Sequence, residues 1–302
     1  MSYGARFEFA TFNDPADKPF DGHTFNQLLG INNFGLIAGF YGSGAAGDPN
    51  QGYLLSPPFF IPVNYPGVPQ TQLTGLNDHG TLVGYFYPTN KGTAVDNQFG
   101  FYEKDGKFVE VNNPNTPKQP LNGNLIENQL LGVNDSDIAV GFYNDKFGNS
   151  HGYTYDINTG KFSADINFPH AVSTVAAAIN NAGAIAGFYT DSANVTHGFL
   201  KDGGEVVSVD APGASTTELL GLNDFGLAVG FDVVGGVTHG IIYDVSTQTF
   251  ATLDDPHASG LTEFNGINDR GDIVGFYMDS KGNTDGLLAR PSGQSFPGFR
   301  SV

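Results

Sequence analysis

The sequence contains no cysteine and no tryptophan, and it has few basic residues. Without cysteine the chain can form no disulfide, no thiolate zinc site and no cysteine nucleophile. Its 13 lysine and arginine residues are outnumbered by 31 aspartate and glutamate residues, and the net charge is −18. Because so acidic a protein repels phosphate backbones, we expect no nucleic-acid partner. The acidity fits solubility alone, or an affinity for Ca²⁺, cationic ligands or neutral ligands.

Long apolar runs and helical patterns are also lacking. No run approaches the roughly 18 apolar residues that suggest a membrane span. Residues 1–7 lack the basic stretch and apolar core of a signal peptide. The 42 glycines, 17 prolines and 13% aromatic residues favour short strands joined by tight turns. We therefore expect an all-β protein with no membrane span.

A tetrapeptide of the form Gly-Ile/Leu/Val-Asn-Asn/Asp recurs six times, with alanine replacing glycine in one copy. The spacings between copies are 45, 57, 46, 43 and 45 residues. Periods of about 40–50 residues with strand-like composition are typical of propeller blades. The copies begin at Gly30, Gly75, Gly132, Ala178, Gly221 and Gly266.

Each copy of the repeat predicts four antiparallel strands. The Asn-Asn/Asp pair is followed by one residue and a glycine, which is typical of a tight hairpin turn. An apolar strand ending in glycine and an aromatic residue comes next in most copies, and a third strand begins with His-Gly at His151, His197 and His239. A fourth strand ends in Asn/Asp-x-Pro, where the proline stops the hydrogen-bond ladder.

The two ends of the chain predict that the repeats close into a ring. The last copy has no fourth strand after Arg290, whereas residues 9–15 match the fourth-strand residues 250–256 almost position for position. The N-terminal strand 7–13 should therefore complete the blade begun at 261–290 and remove two open sheet edges. We predict a single domain over 1–302, a six-bladed β-propeller with four antiparallel strands per blade, and we expect a monomer.

The repeat unit resembles the HAF-type repeat of bacterial, often secreted proteins, over roughly residues 7–290. The pattern G-I-N-[ND]-x-G, followed by G-F-Y and H-G-[FY], carries the resemblance. It implies a propeller in an extracellular or periplasmic setting, and it implies no particular activity.

The propeller architecture implies that the first strand of each blade lines a central channel. The residue three positions before each tetrapeptide should lie on that strand, near the face formed by the longer loops. Five of these six residues are polar. A water-filled channel lining would explain this, and a ligand-binding ring is the alternative. They are Gln27, Gln72, Gln129, Glu218 and Glu263, with Val175 as the sixth.

Glu218 and Glu263 would lie on adjacent blades. Two neighbouring carboxylates form an acid/base pair in glycoside hydrolysis, at separations of roughly 5–9.5 Å, and carboxylate oxygens also bind hard cations such as Ca²⁺. Asp232 is a third candidate, because the other five copies carry an aromatic residue at its position. A hydrolase or lyase would use Glu218, Glu263 and Asp232 as its catalytic groups.

The aromatic residues that end the second strands form another predicted ring. Packing between the blades would explain them, and so would a platform on which a sugar ring stacks. For the second interpretation the ligand-binding candidates are Tyr143, Tyr189 and Tyr277, beside Gln27, Gln72 and Gln129.

No metal ligand set is predicted. The His-Gly histidines recur once per blade and should be spread around the ring, so a repeated hydrogen bond to Asn or Asp of the fourth strand explains them better than zinc. The turns at 145–151 and 279–285 resemble Ca²⁺ loops only in part, since they lack the full ligand set. We expect no cofactor, with Ca²⁺ as the open alternative.

Two long segments, around 113–128 and 88–98, fall in loops predicted for one face. Long loops on a rigid scaffold often carry binding, so this region and the Gln/Glu ring form the candidate pocket. We expect a non-enzymatic propeller that recognises a carbohydrate or another polar ligand at the channel mouth. A hydrolase or lyase and a protein-interaction scaffold are the alternatives.

Overall fold

The structure is a computed structural model that describes residues 6–93, 96–120 and 123–292. In these residues it contains 24 β-strands and no α-helix. The strands form consecutive four-stranded antiparallel units, numbered here 1 to 6, whose innermost strands surround one axis. This propeller arrangement confirms the all-β prediction.

The first three units follow one another along the chain. Unit 1 comprises β2 (Asn26–Ile31), β3 (Ile37–Tyr41), β4 (Gln51–Ser56) and β5 (Phe59–Pro62). Unit 2 comprises β6 (Gln70–Leu76), β7 (Leu82–Tyr87), β8 (Phe99–Lys104) and β9 (Lys107–Val111). Unit 3 comprises β10 (Asn128–Val133), β11 (Ile138–Asn144), β12 (Ser150–Asp156) and β13 (Lys161–Phe162).

The last three units complete the order. Unit 4 comprises β14 (Ser173–Ile179), β15 (Ile185–Thr190), β16 (Thr196–Asp202) and β17 (Glu205–Val209). Unit 5 comprises β18 (Thr216–Leu222), β19 (Leu227–Val234), β20 (Val237–Asp244) and β21 (Thr249–Thr252). Unit 6 comprises β22 (Thr262–Ile267), β23 (Ile273–Met278), β24 (Thr284–Pro291) and, from the other end of the chain, β1 (Phe7–Thr11).

The N-terminal strand closes the last unit, as the sequence predicts. β1 pairs antiparallel with β24, from Phe7 opposite Pro291 to Thr11 opposite Leu287. The strand ends two residues before the predicted limit, but the contact continues, because Phe12 N donates to Gly286 O at 2.8 Å. Unit 6 is thus held together by residues from both ends of the chain.

Units 4 and 5 share one sheet of eight strands, where two separate sheets were expected. A single parallel pair, Thr196 with Thr216, joins them. Three other junctions carry a similar parallel bridge: Phe25 with Thr284, Gln98 with Glu127, and Thr238 with Leu261. The junction between units 4 and 5 is therefore of the same kind as the other three. It joins two sheets into one only because both of its bridging residues belong to strands.

Two positions in each unit carry core side chains that are fully buried. Burying a large apolar side chain contributes roughly 1.5–3 kcal/mol, so this repeated pair is a major source of stability. The position two residues before the tetrapeptide holds Leu28, Leu73, Leu130, Ala176, Leu219 and Phe264. The third-strand position holds Tyr53, Phe101, Tyr153, Phe199, Ile241 and Leu287.

The glycine near the end of each second strand is required by a close approach of backbones. A Cβ on Gly230 would lie 1.8 Å from the carbonyl oxygen of Glu218, and one on Gly275 would lie 1.9 Å from that of Glu263. The innermost strand bulges at the residue before the tetrapeptide. Glycine and bulge together fix the backbone at the two glutamates.

A side-chain oxygen four residues before the tetrapeptide anchors the connection from the preceding unit. Thr217 Oγ1 accepts a hydrogen bond from Ala211 N at 3.0 Å, and Asn128 Oδ1 accepts one from Asn113 N at 3.0 Å. Units 1 and 3 follow the longest connections and use asparagine, whereas the other four units use threonine. Asparagine, whose side chain is longer than that of threonine, thus occurs where the connection is longer.

Candidate functional site

The axial channel is narrow inside the protein. Where the innermost strands end, a polar cavity of about 70 Å³ is lined by tetrapeptide residues such as Asn77 and Asp78. The next cavity, also about 70 Å³, is lined mainly by apolar residues that include Leu29, Leu131 and Leu220. Cavities of this size hold only a few water molecules. A ligand as large as a sugar would therefore have to bind at a channel mouth.

A ring of asparagine side chains joins the units where the innermost strands end. Each donates Nδ2 to the backbone carbonyl of the equivalent asparagine in the next unit, at 2.9–3.2 Å. The bond from the last asparagine returns to the first. The donors are Asn32, Asn77, Asn134, Asn180, Asn223 and Asn268.

The fourth tetrapeptide residues form a second ring of hydrogen bonds. Each side chain accepts, through Oδ1, the backbone N–H of the equivalent residue in the preceding unit, at 2.7–2.9 Å. The members are Asn33, Asp78, Asp135, Asn181, Asp224 and Asp269.

The sequence interpretation of the tetrapeptide as a hairpin turn was correct but incomplete. Asn32 Oδ1 does cap its own turn, accepting from Phe34 N at 3.1 Å and from Leu36 N at 3.0 Å. Its amide nitrogen joins the next unit at the same time. The sequence did contain a signal for this second role. A turn position tolerates several residue types, yet all six copies carry asparagine there.

The mouth ring, defined as Gln27, Gln72, Gln129, Val175, Glu218 and Glu263, lies at the opposite end of the innermost strands. Glu218 pairs with Phe231 and Glu263 with Phe276 across the first two strands of their units. Along β18, Thr216, Glu218 and Leu220 are half-buried and alternate with the buried Thr217 and Leu219. Glu218 therefore lies on the same face as Leu220, which lines the channel.

Glu218 and Glu263 have no side-chain hydrogen bond or ion pair within the described residues. Burial raises the pKa of Glu218 to about 7. Burial, followed by the charge of Glu218, raises the pKa of Glu263 to about 8. Each residue is half-buried, and both carboxyls lose much of their charge near neutral pH.

The mouth ring is asymmetric in its hydrogen bonding. Tyr85 Oη donates to Gln72 Oε1, and Gln129 Nε2 donates to Gln98 Oε1, so these two glutamines are engaged within the protein. The side chain of Gln27 has no such bond within the described residues. The unpartnered members Gln27, Glu218 and Glu263 thus belong to three consecutive units around the ring, 1, 5 and 6.

The three tyrosine candidates lie inside the protein, with their rings buried. Tyr143 Oη donates to Asp165 Oδ2 at 2.9 Å. The ring of Tyr189 stacks on Phe168 with centroids 3.7 Å apart. Tyr277 shares a hydrogen bond of 3.0 Å with Thr11. The structure does not bring these rings to the mouth, and a ligand-binding role for them stays a prediction.

Asp232 is separated from the other two carboxyl candidates by the alternation of the strand. It pairs with Thr217, whose side chain points away from the channel face that carries Glu218. Asp232 is buried, and its Oδ1 has no hydrogen-bond partner. Burial raises the pKa of Asp232, although the adjacent His239 opposes that rise. The structure therefore brings together Glu218 and Glu263 but not Asp232.

The histidines at the start of the third strands make the predicted repeated hydrogen bond. Nδ1 lies 2.9 Å from Asn167 Oδ1 in His151, 2.8 Å from Asp210 Oδ1 in His197 and 2.8 Å from Asp254 Oδ2 in His239. Their partners are the Asn and Asp residues that follow the fourth strands. This confirms the structural interpretation of these histidines.

The turns that resemble Ca²⁺ loops are stabilised from within. Asp145 Oδ1 accepts from Phe147 N at 2.8 Å and from Asn149 N at 3.0 Å. Asp279 Oδ1 makes the equivalent bonds to residues 281 and 283. Over the ranges 6–93, 96–120 and 123–292, no three His, Asp or Glu side chains are grouped so that they could hold a metal ion. Nor do these ranges contain a helix that could span a membrane.

The two long loops meet, as their predicted position on one face implies. Gln98 N donates to Ile126 O at 2.8 Å, Asn128 N donates to Gln98 O at 3.1 Å, and Ile126 N donates to Asn97 Oδ1 at 3.0 Å. Two larger cavities lie among the loops of this face, away from the axis. One of about 490 Å³ is lined by Lys118 and Phe147 among others, and one of about 410 Å³ by Phe20 and Phe25 among others.

No protein-family model and no curated protein sequence matches the chain. Solved structures share its fold. An Aleuria aurantia lectin mutant in complex with Fucα1-6GlcNAc is 13% identical, covers 92% of this chain and 97% of its own, and has a TM-score of 0.54. A protein of unknown function from Dyadobacter fermentans is 11% identical, with coverage of 96% and 100% and a TM-score of 0.60. A putative TolB from Agrobacterium tumefaciens is also 11% identical, with 90% coverage of both chains and a TM-score of 0.57. At these identities the likeness defines the fold alone, a β-propeller.

Proposed function

We propose that the six units are the blades of one closed six-bladed propeller of the HAF-repeat type, and that its mouth ring binds a carbohydrate or another neutral polar ligand without catalysis. The two rings of tetrapeptide hydrogen bonds support the blade count, because each returns to its first member after six steps. Closure of this kind leaves the mouth of the central channel as a place for a ligand.

The proposal rests mainly on the group of three unpartnered polar side chains at the mouth. Gln27, Glu218 and Glu263 lie on consecutive blades at one level of the channel. A glutamine amide donates and accepts hydrogen bonds, and so does a protonated carboxyl. Because burial raises the pKa of Glu218 to about 7 and that of Glu263 to about 8, both are largely protonated in mildly acidic solution. Such a surface suits hydroxyl groups, which also donate and accept.

The solved lectin structures add support at the level of the fold. The Aleuria aurantia lectin is described with a six-bladed β-propeller fold and a fucose recognition mode. SapL1 lectin, 11% identical to this chain with a TM-score of 0.56, is described in complex with α-methyl fucoside. A propeller of this size is therefore a suitable scaffold for a small saccharide.

The first experiment is a thermal-shift screen of the protein against neutral glycans, common metabolites, Ca²⁺ and EDTA, followed by calorimetry of any ligand that raises Tm. A ligand that binds only the folded state raises Tm by mass action. We expect Gln27→Ala to weaken binding at least tenfold, and Val175→Ala, at the same level of the channel, to leave it unchanged. Absence of binding by every neutral glycan, or equal binding by both variants, would overturn the proposal.

A hydrolase is the second candidate, favoured by the adjacency of Glu218 and Glu263. A retaining or inverting mechanism needs one protonated and one ionised carboxyl, and the two raised pKa values allow that state near pH 7 to 8. The double variant Glu218→Gln/Glu263→Gln separates the candidates. It keeps neutral hydrogen-bonding groups, so a binding protein should retain its ligand, whereas a hydrolase would lose all turnover of an aryl glycoside substrate.

A further inference from the structure

A second cavity, here named the interloop cavity, lies away from the channel. It measures about 410 Å³, and its lining includes Phe20, His23, Phe25, Ser43 and Thr93. Four segments form it: residues 20–25 before unit 1, residues 43–45 between β3 and β4, residues 92–93 between β7 and β8, and Gly282 between β23 and β24. It shares none of its lining residues with the mouth ring.

Backbone hydrogen bonds fix the walls of the interloop cavity. Phe20 and His23 bond to each other twice, at 2.8 and 3.1 Å, and Thr93 N donates to Gly44 O at 2.9 Å. Thr24 is tied to unit 6, because its carbonyl accepts from Thr284 N at 3.0 Å. Gly44 has a φ of +73°, and a Cβ there would lie 2.4 Å from Thr93 Cγ2. The cavity is thus formed before any ligand arrives, which lowers the cost of binding.

Aromatic rings form one part of the lining. Phe20 and Phe25 are only half-buried, and Phe25 is backed by Phe40, with ring centroids 6.0 Å apart. The face of an aromatic ring carries a partial negative charge and attracts cations. No lysine or arginine is among the lining residues, and the one lining carboxylate is Asp21.

Further negative charge lies directly behind the aromatic wall. Asp17 is 8% exposed, and its Oδ2 accepts from Phe25 N at 2.9 Å. Its Oδ1 is buried without a hydrogen-bond partner. Burial raises the pKa of Asp17 to about 6, and the charges of Asp48 and Asp14 add to the rise. Asp17 therefore lies against the backbone of Phe25, with one carboxylate oxygen uncompensated.

The same carboxylates also act on Tyr41. Burial raises the pKa of its hydroxyl, and the charges of Asp14, Asp17 and Asp48 raise it further. Two titratable groups on different elements are thus both shifted by the same carboxylates. Charges that are partly removed from water act over longer distances than exposed ones.

We propose that the interloop cavity binds an organic ammonium ion, held by the ring faces of Phe20 and Phe25 and by the charges of Asp17, Asp21 and Asp48. The aromatic faces supply a cation–π contact to a methylated or primary ammonium group. The carboxylates supply the counter-charge, and the hydroxyls of Ser43 and Thr93 are placed to bond a polar substituent. This site goes beyond the mouth ring, because it differs in place and in ligand charge.

The test is calorimetric titration of the full chain at pH 8 with choline and with its uncharged isostere 3,3-dimethylbutanol. We expect choline to bind and the isostere to bind at least tenfold more weakly. Phe20→Leu keeps an apolar side chain but removes the ring, and it should weaken choline binding on the order of tenfold. Asp17→Asn should weaken it as well, because it removes the buried charge.

Two matched variants control for other sites. Phe147→Leu alters an exposed ring at the other off-axis cavity, and Glu218→Gln/Glu263→Gln removes the carboxyls of the mouth ring. Both should bind choline as the unmodified protein does. Equal binding of the isostere, no binding of choline, or a loss in either control would overturn the proposal. If Asp17→Asn fails to fold, Phe20→Leu and the isostere decide alone.

Discussion

Glu263 lies beside Glu218 at the channel mouth, and its pKa is raised first by burial and then by the negative charge of Glu218. The backbones that carry them nearly touch, since a Cβ on Gly221 would lie 3.0 Å from Gly266 Cα. Both folded-state pKa values exceed the ordinary value of 4.5. The stability that these groups contribute is therefore complete below about pH 4.5 and is lost as the pH rises through 7 and 8.

Glu263→Gln should stabilise the protein in alkaline solution. The amide has nearly the shape of the carboxyl but never becomes charged, so the cost of a buried carboxylate disappears. We expect the free energy of unfolding to rise by roughly 3 kcal/mol at pH 9 and to change little at pH 4.5. Denaturant unfolding at the two pH values measures the difference. Glu205→Gln, on the exposed side of β17, is the control, and equal gains from both variants would show that Glu263 is not the cause.

The affinity of the mouth ring for a neutral ligand should also depend on pH. A protonated carboxyl donates a hydrogen bond, and a carboxylate does not. We therefore expect Kd to increase as the pH rises from 6 to 9, because Glu218 and Glu263 lose their protons in this range. Calorimetry over that range gives the profile. In Glu218→Gln/Glu263→Gln the profile should become flat, and a persistent pH dependence would assign the titration to other groups.

Asn180→Asp should destabilise the ring without disturbing the turn. The substitution keeps Oδ1, which accepts from Ala184 N at 2.9 Å, but removes the Nδ2 that donates to Asn223 O at 3.2 Å. A buried carbonyl left without its donor costs roughly 1–3 kcal/mol. Denaturant unfolding measures the loss, with Asn90→Asp on an exposed loop as the control, expected within about 0.5 kcal/mol of the parent. Equal stability of both variants would mean that the ring bond contributes nothing.

The architecture was predictable from the sequence because each repeat carries its own turn residues, core residues and strand-ending proline. The pairing of β1 with β24 followed from the match between residues 9–15 and 250–256. The asparagine ring was not foreseen, since its bonds join residues 43 to 236 positions apart, and local pattern gives only the turn. The partner of Gln129 was hidden for the same reason, because Gln98 belongs to the preceding unit, whereas Tyr85 lies opposite Gln72 in the predicted hairpin.

The interloop cavity could not be predicted either. Phe20, Ser43 and Thr93 lie in three irregular segments without repeat character, and only their folded positions bring them together. The burial of Tyr143 and Tyr189 also depended on the fold, since a strand-ending tyrosine suits a surface platform as well as a packed interior. Repetition thus predicts the scaffold, whereas the sites depend on departures from the repeat.

Deleting residues 1–15 should lower Tm markedly. The deletion removes β1, which pairs with β24 over five residue positions, and it exposes the edge of unit 6. It also removes Phe12, which is buried in the cluster shared with Leu28 and Tyr53. A matched deletion of residues 1–5 leaves β1 intact and should leave Tm unchanged. Thermal unfolding followed by circular dichroism checks both, and an unchanged Tm in the longer deletion would contradict closure by the N-terminal strand.

Asp232→Tyr should stabilise unit 5, because it restores the residue type found at this position in most other units. In unit 4, Tyr189 stacks on His197 with centroids 4.9 Å apart and shares a hydrogen bond of 3.1 Å with Ser208. The equivalent neighbours in unit 5 are His239 and Thr252, so a tyrosine would find the same contacts. Removal of the buried, unpartnered Oδ1 of Asp232 adds to the gain.

We expect a gain of roughly 1–2 kcal/mol at pH 7. Burial raises the pKa of Asp232. The free energy of unfolding therefore falls as the pH rises through this pKa and Asp232 loses its proton. Asp232→Asn isolates this electrostatic part. It should give a smaller gain that is present at pH 7 and absent at pH 3, as measured by denaturant unfolding. A loss of stability in both variants would instead indicate that the carboxylate of Asp232 makes a favourable interaction.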